Sequence, residues 1–448
     1  MPLRIKSRVE GIRGWLDLRL VLAWLLVLIV LFWPFVRGSD PVGYFSWVRS
    51  VVIQGSLDVT DEFAHYGIPH ARPRASTGYL ANPWAVGTPL LWAPFYLVAH
   101  LLVRLAGVFG SAIPPDGYSW PYPLACALGS ALYALAGLVL LKVLIEKWLE
   151  KAVARLSVLT IWLASPLVFY MSAHALMSHS CEFFTIVLFL FIWARTKENR
   201  AGSALSLGFA GGLAACVRIQ NAPILAFAVL FWSFRTFRRG ESFLTLLRSL
   251  ALIGTAAFLG FLPQLITWRV VFGSWVVGNP YAASGETLNW TSPHLLDVLF
   301  SSTRGLFPWI PAALPAVWGL CILVKRQPYW AAILIPHALT QVYVVGSWPA
   351  WSGAASFGPR LLISILPALG LGLACALGRA KDQPKLRVLF CGLLIGWNLL
   401  LLARYALQDI PRLGAISWER LILGQFEFAA RLPQYVTRLL DGLFRHLS

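Results

Sequence analysis

Long apolar stretches, separated by short clusters of Lys and Arg, occupy most of this chain. Hydrophobic residues make up 58% of the 448 positions and charged residues only 12%, a composition far from that of a soluble domain. A helix needs about 20 apolar residues to cross a bilayer. Because every backbone polar group must be paired inside the membrane, runs of this length predict helices. We therefore expect an all-α polytopic membrane protein.

The positive clusters predict how the helices cross the membrane, because short loops rich in Lys and Arg stay in the cytoplasm. Five clusters follow a basic N-terminus, at Lys142/Lys147/Lys151/Arg155, Arg195/Lys197/Arg200, Arg235/Arg238/Arg239, Lys325/Arg326 and Arg379/Lys381/Lys385/Arg387. The apolar stretches between successive clusters are long enough for two crossings each. The pattern predicts about eleven spans, with the N-terminus inside and the C-terminus outside. The outward loops would be residues 172–180, 218–221, 273–304 and 347–360.

One apolar segment, residues 84–107, does not fit this count. If it crossed the membrane, the Lys142 cluster would lie outside, against the charge rule. Its prolines suit a broken element, so we predict a re-entrant or juxtamembrane helix within one long outer loop, residues 37–120. Residues 408–448 are too polar to cross and are expected to form amphipathic helices on the outer surface. This divides the chain into a transmembrane module, residues 1–407, and an amphipathic tail, residues 408–448.

Charge and cysteine content exclude two classes of function. The net charge of +18 does not indicate nucleic-acid binding, because the basic residues lie in short clusters and form no continuous face. Topology and anionic lipid account for the excess. The six cysteines lie inside or beside apolar runs and none has C-x-x-C spacing. Neither a disulfide framework nor a zinc site is expected.

The first predicted outer loop holds carboxylates close to the membrane. Asp40 directly follows the first apolar run, and Asp58, Asp61 and Glu62 come after an amphipathic segment. An ionisable group near the membrane usually has a function, and Asp40 could act as general base toward an acceptor hydroxyl. Its alternative role is to cap the helix that starts near Val42. The second group could bind a divalent cation or orient a sugar, or it could form an exposed acidic turn.

Three arginines stand where predicted spans begin on the outer side. Arg218 lies in CVRIQNAP, Arg304 in SSTRGLF and Arg360 in WSGAASFGPRLL. A guanidinium pairs well with phosphate oxygens, and the positive helix ends that follow would add to the field. The three could therefore hold one anionic headgroup. The alternative is that each reaches separately to nearby lipid phosphates.

Histidines and aromatic residues occur in the same predicted outer loops. The turn SAHALMSHSCEFF contributes His174, His179 and Glu182. Histidines five residues apart do not share a helix face, and no HExxH is present, so a zinc protease site is not indicated. They could hydrogen-bond to phosphate or sugar, or they could serve helix capping and core packing. The aromatic rings of these loops could stack on a sugar, but such rings also collect at every membrane interface. They are Tyr281, Trp290, Trp348 and Trp351.

With these features, the chain resembles the GT-C superfamily of membrane glycosyltransferases. It is most similar to bacterial relatives of the protein O-mannosyltransferases and of the aminoarabinose transferases that modify lipid A. The likeness rests on the acidic loop opened by Asp40, the helix YFSWVRSVV, and the stretches NPWAVGTPLLWAPF, SHSCEFF, GLAACVRIQNAP and WSGAASFGPRLLISILP. The chain departs from the family in the residues that open the loop. Asp40 is followed by Pro41, and the Asp-Glu pair that usually opens the loop occurs only at Asp61-Glu62.

The resemblance implies a GT-C-like bundle that transfers a sugar from a polyprenyl-phosphate donor to an acceptor glycan, lipid or protein, usually with inversion. The acceptor hydroxyl would be deprotonated by Asp40, Asp61 or Glu62. The donor phosphate would be held by Arg218, Arg304, Arg360 and His179. Other parts of the substrate would contact Tyr44, His174 and Trp351. A divalent cation is the one cofactor left open.

A carrier or flippase for a lipid-linked sugar or anion is the alternative from another class. It would need polar groups near mid-membrane and broken helices in paired positions, whereas the charges here concentrate at one predicted surface and no internal duplication is visible. A polymerase or ligase of lipid-linked glycans would use the same surface chemistry as single-sugar transfer. Each reading expects an integral protein of a bacterial inner or plasma membrane, with its site on the non-cytoplasmic side and membrane lipid as a partner.

Overall fold

The computed structural model describes residues 17–68, 74–196, 200–282, 285–380 and 382–447. Within these ranges the regular structure is helical, and β-type pairing is limited to one isolated bridge between Arg74 and Leu80. The prediction of an all-α fold is confirmed. Most of the basic N-terminal segment, together with Lys197 and Lys381 of the predicted clusters, lies outside the described residues.

The helices fall into three groups along the chain. The first comprises α1 (Leu18–Leu31), α2 (Ser39–Arg49), which continues into a π-helical turn (Ser50–Gln54), α3 (Thr60–His65) and α4 (Gly87–Val108). The second comprises α5 (Pro121–Glu146), α6 (Lys151–Leu163), α7 (Leu167–Tyr170), α8 (His179–Trp193), α9 (Ala201–Val217), α10 (Ala222–Arg238) and α11 (Phe243–Phe272). The third comprises α12 (Leu295–Phe300), α13 (Leu306–Trp309), α14 (Ala313–Arg326), α15 (Pro328–Gly346), α16 (Leu366–Leu377), α17 (Pro384–Ala406) and α18 (Trp418–Leu447).

Six helical segments of the described chain are long and apolar enough to cross a membrane. They are α4, α5, α11, α15, α17 and the continuous stretch Arg360–Leu377, in which the 3-10 turn Arg360–Ile365 runs into α16. Shorter apolar helices include α1, α8 and α9. The protein is thus an integral, polytopic membrane protein, as predicted. The count of about eleven spans stays a prediction, because it depends on which of the shorter helices also cross.

Helix α4 differs from the broken element expected from its prolines. It is continuous through Pro94, and Pro89 lies in its first turn, where no backbone donor is needed. The indole Nε1 of Trp92 donates to Ser130 Oγ at 2.8 Å, and His100 Nδ1 lies 2.8 Å from the hydroxyl of Tyr122. These contacts show that α4 runs antiparallel to the first half of α5. Its predicted juxtamembrane position stays a prediction.

Close helix pairs in the bundle depend on glycine. A Cβ atom on Gly212 of α9 would collide with the backbone carbonyl of Ala257 in α11, and one on Gly319 of α14 would collide with the carbonyl of Gly372 in α16. Small residues let backbones approach closely where no hydrophobic effect drives helices together. The pairing of α9 with α11 fixes the end of α9, immediately before Arg218.

The predicted amphipathic tail contains one long helix, α18. In its first turns Leu421 and Phe428 are buried, whereas Leu423 and Phe426 are exposed. The helix is attached to α17 through Gln425, whose Nε2 donates to the carbonyl of Trp397 at 2.9 Å. The tail is thereby held against the bundle, and its contact with a membrane surface stays a prediction.

Candidate active site

A cluster of charged side chains lies where four segments meet. These segments are the start of α2, the start of α8, the turn after α9 and the start of the Arg360–Ile365 helix. Asp40 lies in the first turn of α2, where the helix dipole favours a negative charge. Gly38 precedes this turn with φ of 87°, a conformation that suits glycine. The chain thus turns sharply from the end of α1 and presents Asp40 at the tip of α2.

Asp40 pairs directly with Arg360. The Nη1 of Arg360 donates to Asp40 Oδ2 at 2.7 Å, and the indole Nε1 of Trp84 donates to Oδ1 at 3.2 Å. The two charged side chains keep 28% and 15% of their exposure, respectively. A charge-assisted bond of this length is a strong one. The structure therefore brings together two of the residues that the sequence singles out.

The surroundings of Asp40 keep its carboxyl group ionised. Burial alone would raise its pKa, but the charge and hydrogen bond of Arg360, followed by Arg218 and Trp84, outweigh burial and hold the pKa below the ordinary value of 3.8. A carboxylate with so low a pKa is a weak base while the ion pair is intact. Asp40 can accept a proton readily only if Arg360 moves toward another anion, because its effect on the pKa of Asp40 then weakens.

Arg218 forms the second part of the cluster. It has an extended conformation between α9 and the short turn Ile219–Asn221. Its Nε lies 3.4 Å from Glu182 Oε1, its Nη1 donates to Ser178 Oγ at 3.4 Å, and its Nη2 donates to Gln220 Oε1 at 3.2 Å. The long distances to Glu182 and Ser178 leave the guanidinium able to form shorter bonds to an incoming anion.

His179 and Glu182, in the first turn of α8, both lie next to Arg218. Both side chains are buried, and His179 Nδ1 lies 3.3 Å from Glu182 Oε2 and 3.4 Å from Arg218 Nη1. Arginine only donates and an ionised carboxylate only accepts, so a single Nδ1 cannot satisfy both neighbours. The network is therefore incomplete as it stands.

Several buried polar atoms of the cluster have no hydrogen-bond partner among the described residues. They are His179 Nε2, Glu182 Oε1 and Arg360 Nε. Buried polar atoms in proteins are nearly always paired, with water or ligand where the protein offers no partner. Glu182 Oε1 faces Arg218 Nε at 3.4 Å, which leaves His179 Nε2 and Arg360 Nε as the atoms of the cluster open to water or a polar ligand.

Hydrogen bonds tie the two arginine segments together. Gln220 Nε2 donates to the carbonyl of Leu361 and to Gln341 Oε1, both at 3.1 Å. On the opposite side, the hydroxyl of Tyr44 donates to Ser178 Oγ at 3.0 Å. Tyr44, expected to contact substrate, is therefore buried beside the cluster. These bonds fix the spacing of Arg218 and Arg360.

Aromatic rings lie beside the cluster. Trp84 and Tyr281 pack edge to face at 6.5 Å between ring centroids, and Tyr281 and Trp348 do so at 5.0 Å. His174 lies on another side, where burial first and then the charge of Arg360 lower its pKa to about 4. It is therefore neutral at pH 7. A neutral imidazole can donate one hydrogen bond and accept another.

Glu62 and Asp61 lie apart from Asp40. Glu62 is fully buried and accepts from Nη1 of Arg49 at 2.8 Å. Asp61 accepts from Gln54 Nε2 at 2.8 Å. Neither carboxylate contacts Asp40, Arg218 or Arg360 among the described residues. The Asp-Glu pair is thus not part of the charged cluster.

Arg304 and Trp351 also lie outside the cluster. Arg304 is only 2% exposed, and its guanidinium donates to the backbone carbonyls of Ser356, Pro411 and Arg412. Its side-chain donors bind these backbone carbonyls, and it makes no contact with Asp40. Trp351 is half-buried against the apolar core, with His294 stacked at 6.4 Å. We expected Arg218, Arg304 and Arg360 to hold one anionic headgroup together. Arg304 does not join the other two, because nearby backbone carbonyls satisfy its donors.

The described residues contain no group of three or more His, Cys, Asp or Glu side chains placed to hold a metal ion. Asp58, one of the carboxylates considered for a divalent cation, instead accepts hydrogen bonds from the backbone and hydroxyl of Thr60 at 3.1 and 2.6 Å. It therefore closes the turn before α3.

Three residues of the site were not anticipated from the sequence in these roles. Trp84 binds Asp40, Ser178 joins Tyr44 to Arg218, and Gln220 joins the two arginine segments. The sequence did contain hints of two of these roles, because Gln220 follows Arg218 by two positions and Trp84 belongs to the NPWAVGTP stretch. Their partners, however, lie far away in sequence.

Fold and site together define a helical, polytopic membrane protein with a carboxylate–guanidinium cluster at one end of its bundle. No family model matches the chain, and no curated protein matches it. Among solved structures, the chain is similar to ArnT from Cupriavidus metallidurans in the apo state, with a TM-score of 0.52 and 15% sequence identity over 89% of this chain and 67% of that chain. At this identity the likeness concerns the fold. The chain thus has an all-helical, ArnT-like fold, in agreement with the fold that the resemblance implied.

Proposed function

We propose that this protein is a membrane glycosyltransferase that moves a sugar from a polyprenyl-phosphate carrier to an acceptor hydroxyl. The observation that carries the proposal is the ion pair of Asp40 with Arg360, beside Arg218, at one end of an ArnT-like bundle. Such a cluster offers cations for a phosphate and a carboxylate for a hydroxyl within one site. His179 Nε2 and Arg360 Nε, which have no hydrogen-bond partner among the described residues, supply further hydrogen bonds for a polar substrate.

In the proposed reaction, the acceptor oxygen attacks the anomeric carbon while the bond from that carbon to the phosphate oxygen breaks. The bonding electrons go to the phosphate, whose negative charge increases. Arg218 and Arg360 stabilise this charge, which is greatest in the transition state. The bond distances of 3.4 Å around Arg218 support this role, because shorter bonds to a phosphate can replace them.

Asp40 takes the acceptor proton in this mechanism. When Arg360 turns toward the carrier phosphate, Asp40 loses part of the charge that holds its pKa below 3.8. Its pKa then rises and Asp40 becomes a better base, at the moment when the donor is in place. Donor binding would thus activate the base. The acceptor held by Asp40 attacks the anomeric carbon from the side opposite the phosphate, so the configuration at that carbon is inverted.

The proposed location is the non-cytoplasmic side of a bacterial inner or plasma membrane. Basic residues gather at the ends of α10 and α14, at Arg235/Arg238 and Lys325/Arg326, and positive ends stay inside. In this orientation Asp40 faces the outer leaflet. The proposal assigns catalysis to residues 1–407, with the first residues of the tail beside the site.

The experiment that tests the proposal measures transfer from a radiolabelled polyprenyl-phosphate sugar by purified, full-length protein. We expect Asp40→Asn to reduce transfer by about 10²–10⁴-fold, with unchanged folding by size-exclusion chromatography. Asp61→Asn is the matched control, since Asp61 accepts from Gln54 and lies outside the cluster. Equal turnover in the Asp40→Asn and wild-type proteins would overturn the role of Asp40. Carrier-lipid movement in vesicles without any transfer would favour a flippase.

A further inference from the structure

The two carboxylate oxygens of Asp40 have different partners. Oδ2 accepts from Nη1 of Arg360 at 2.7 Å. Oδ1 accepts from the indole Nε1 of Trp84 at 3.2 Å and from the hydroxyl of Ser39 at 3.4 Å. In the proposed reaction Arg360 turns toward the carrier phosphate, so Oδ2 loses this partner while Oδ1 keeps the bond to Trp84. The bond from Trp84 can therefore still orient the carboxylate when the donor is bound.

The backbone of Trp84 is attached to the helix that presents Asp40. The N–H of Trp84 donates to Oδ1 of Asn82 at 3.2 Å, and its carbonyl accepts from the indole Nε1 of Trp47 at 2.8 Å. Nδ2 of Asn82 donates in turn to the carbonyl of Gly43 at 2.9 Å. Trp47 and Gly43 both belong to α2. Trp84 and the carboxylate that it binds are thus held by the same helix.

The ring of Trp84 packs directly on α2. Gly43 stands about one turn after Asp40, and a Cβ atom at this position would collide with the six-membered ring of the Trp84 indole. The absence of a side chain at Gly43 therefore lets the indole approach the helix backbone closely. Trp47, Asn82 and Trp84 are all buried. Side chains locked by packing and hydrogen bonds in this way hold a neighbouring functional group in one geometry.

We propose that Trp84 is a positioning residue that holds Oδ1 of Asp40, so that Oδ2 is the oxygen that takes the acceptor proton. The inference rests on the proposed function, and it adds which oxygen is the base and what orients it once Arg360 has moved. The acceptor hydroxyl gives its proton to Oδ2, and its oxygen forms the new bond to the anomeric carbon. The phosphate leaves with the electrons of the bond that breaks. A hydrogen bond to an ionised carboxylate is stronger than one between neutral groups, so the indole restricts rotation of the carboxylate.

The test measures the initial rate of sugar transfer by the full-length protein across a range of pH, at varied donor concentration. Trp84→Phe removes the indole N–H and keeps an aromatic ring. Trp24→Phe is the matched control, because Nε1 of Trp24 also donates at 3.2 Å, to the carbonyl of Ala131 in the contact between α1 and α5. Both variants therefore lose one indole hydrogen bond of the same length.

We expect Trp84→Phe to lower kcat by about 10- to 100-fold, because a small displacement of a reacting group has an effect of this size. The KM for the donor should stay unchanged, since the arginines proposed to hold the carrier phosphate are intact. The acid limb of the kcat profile should move to higher pH, because the lost hydrogen bond favours the ionised form of Asp40. Trp24→Phe should keep the wild-type kcat and acid limb.

Gly43→Ala tests the same claim without removing the indole N–H. The added methyl group must displace the Trp84 ring. We therefore expect a lower kcat and a shift of the acid limb in the same direction as in Trp84→Phe. The double variant should show no further loss, because both changes act through the same hydrogen bond.

The inference is overturned if Trp84→Phe keeps the wild-type kcat, if its rate falls by the same factor at every pH, or if Trp24→Phe reproduces its effect. The position of the acid limb does not depend on the fraction of protein that is folded, so a loss of stability cannot imitate the expected shift. Absence of transfer by the wild-type protein, or full activity of Asp40→Asn, would instead count against the proposed function.

Discussion

Two ion pairs formed by the chain between α1 and α4 have nearly the same length and very different surroundings. Asp40 binds Arg360 at 2.7 Å, and Glu62 binds Arg49 at 2.8 Å. The side chains of Arg49 and Glu62 are 10% and 0% exposed, and Nε and Nη2 of Arg49 donate to the carbonyl of Asp116. The ring of Tyr118 covers the guanidinium at 4.1 Å. The Asp40 pair, in contrast, keeps 28% and 15% of its exposure. Each pair leaves one buried atom without a hydrogen-bond partner among the described residues, Arg360 Nε in the first and Glu62 Oε2 in the second.

The difference teaches how to separate a structural ion pair from a functional one. Arg49 is enclosed by a backbone carbonyl, a carboxylate and a ring, and each of its three guanidinium nitrogens already donates to the protein. Arg360 has one strong partner and an unused donor, with a second arginine nearby. An ion pair that can exchange one partner for a substrate anion is suited to binding and catalysis, whereas an enclosed pair ties segments together.

The largest expected effect comes from opening the Asp40 pair. We expect Arg360→Gln to lower kcat for sugar transfer by about 10²–10³-fold, because the fixed positive charge at the leaving phosphate is lost. The measurement is the initial rate of transfer at saturating donor. Arg49→Gln is the control, and its folded fraction should keep a normal rate. A larger loss of kcat in Arg49→Gln than in Arg360→Gln would reverse the assignment of the two pairs.

The enclosed pair should dominate stability. We expect Arg49→Gln to lower the free energy of unfolding by about 2 kcal/mol, because Glu62 then remains buried without a counter-charge. The measurement is the melting temperature of the purified protein in detergent. Asp40→Asn should lower it less, since both members of that pair are partly exposed. Equal melting temperatures for Arg49→Gln and the wild type would show that the pair is not structural.

The smallest expected effect is the pH dependence of stability, which has opposite signs for the two carboxylates. The pKa of Asp40 lies below 3.8, because its partners outweigh burial. Its stabilising contribution is therefore complete above pH 3.8 and is lost as the pH falls through the folded-state pKa. Burial, in contrast, raises the pKa of Glu62 above 4.5 in spite of Arg49. The folded protein then binds this proton more tightly, so stability falls as the pH rises from 4.5 through the folded-state pKa.

Melting curves recorded across this range test the opposite signs. Asp40→Asn should reduce the loss of stability below pH 3.8, and Glu62→Gln should reduce the loss above pH 4.5. Profiles of both variants that run parallel to the wild type would contradict the assigned directions. The comparison needs only the differences between variants, so a general effect of acid on the bundle cancels.

The features that the sequence predicts well are local ones. Apolar length and the positions of Lys and Arg predicted a helical, polytopic protein, because crossing a membrane depends on a continuous stretch of residues. Asp40, Arg218 and Arg360 each lie at the start of a helix or in a turn between helices. Their gathering at one end of the bundle was therefore predictable from the order of the helices.

The features that the sequence does not predict depend on contacts between segments that are distant along the chain. Asp40 and Glu62 are equivalent as acidic loop residues, and the enclosure of Glu62 becomes visible only when Arg49 and the carbonyl of Asp116 are placed around it. Arg304 shows the same limit, since its partners are backbone carbonyls, which every residue carries. Sequence reasoning identifies a charged side chain, but the fold decides which partners it meets.

The most direct test of the central claim is a cryo-EM structure of the full-length protein with a bound polyprenyl phosphate. Our account predicts that the phosphate lies within hydrogen-bond distance of Arg218 and Arg360, with Arg360 turned away from Asp40 and the pair of Glu62 with Arg49 unchanged. A phosphate bound elsewhere, with the Asp40–Arg360 pair still closed at 2.7 Å, would contradict it.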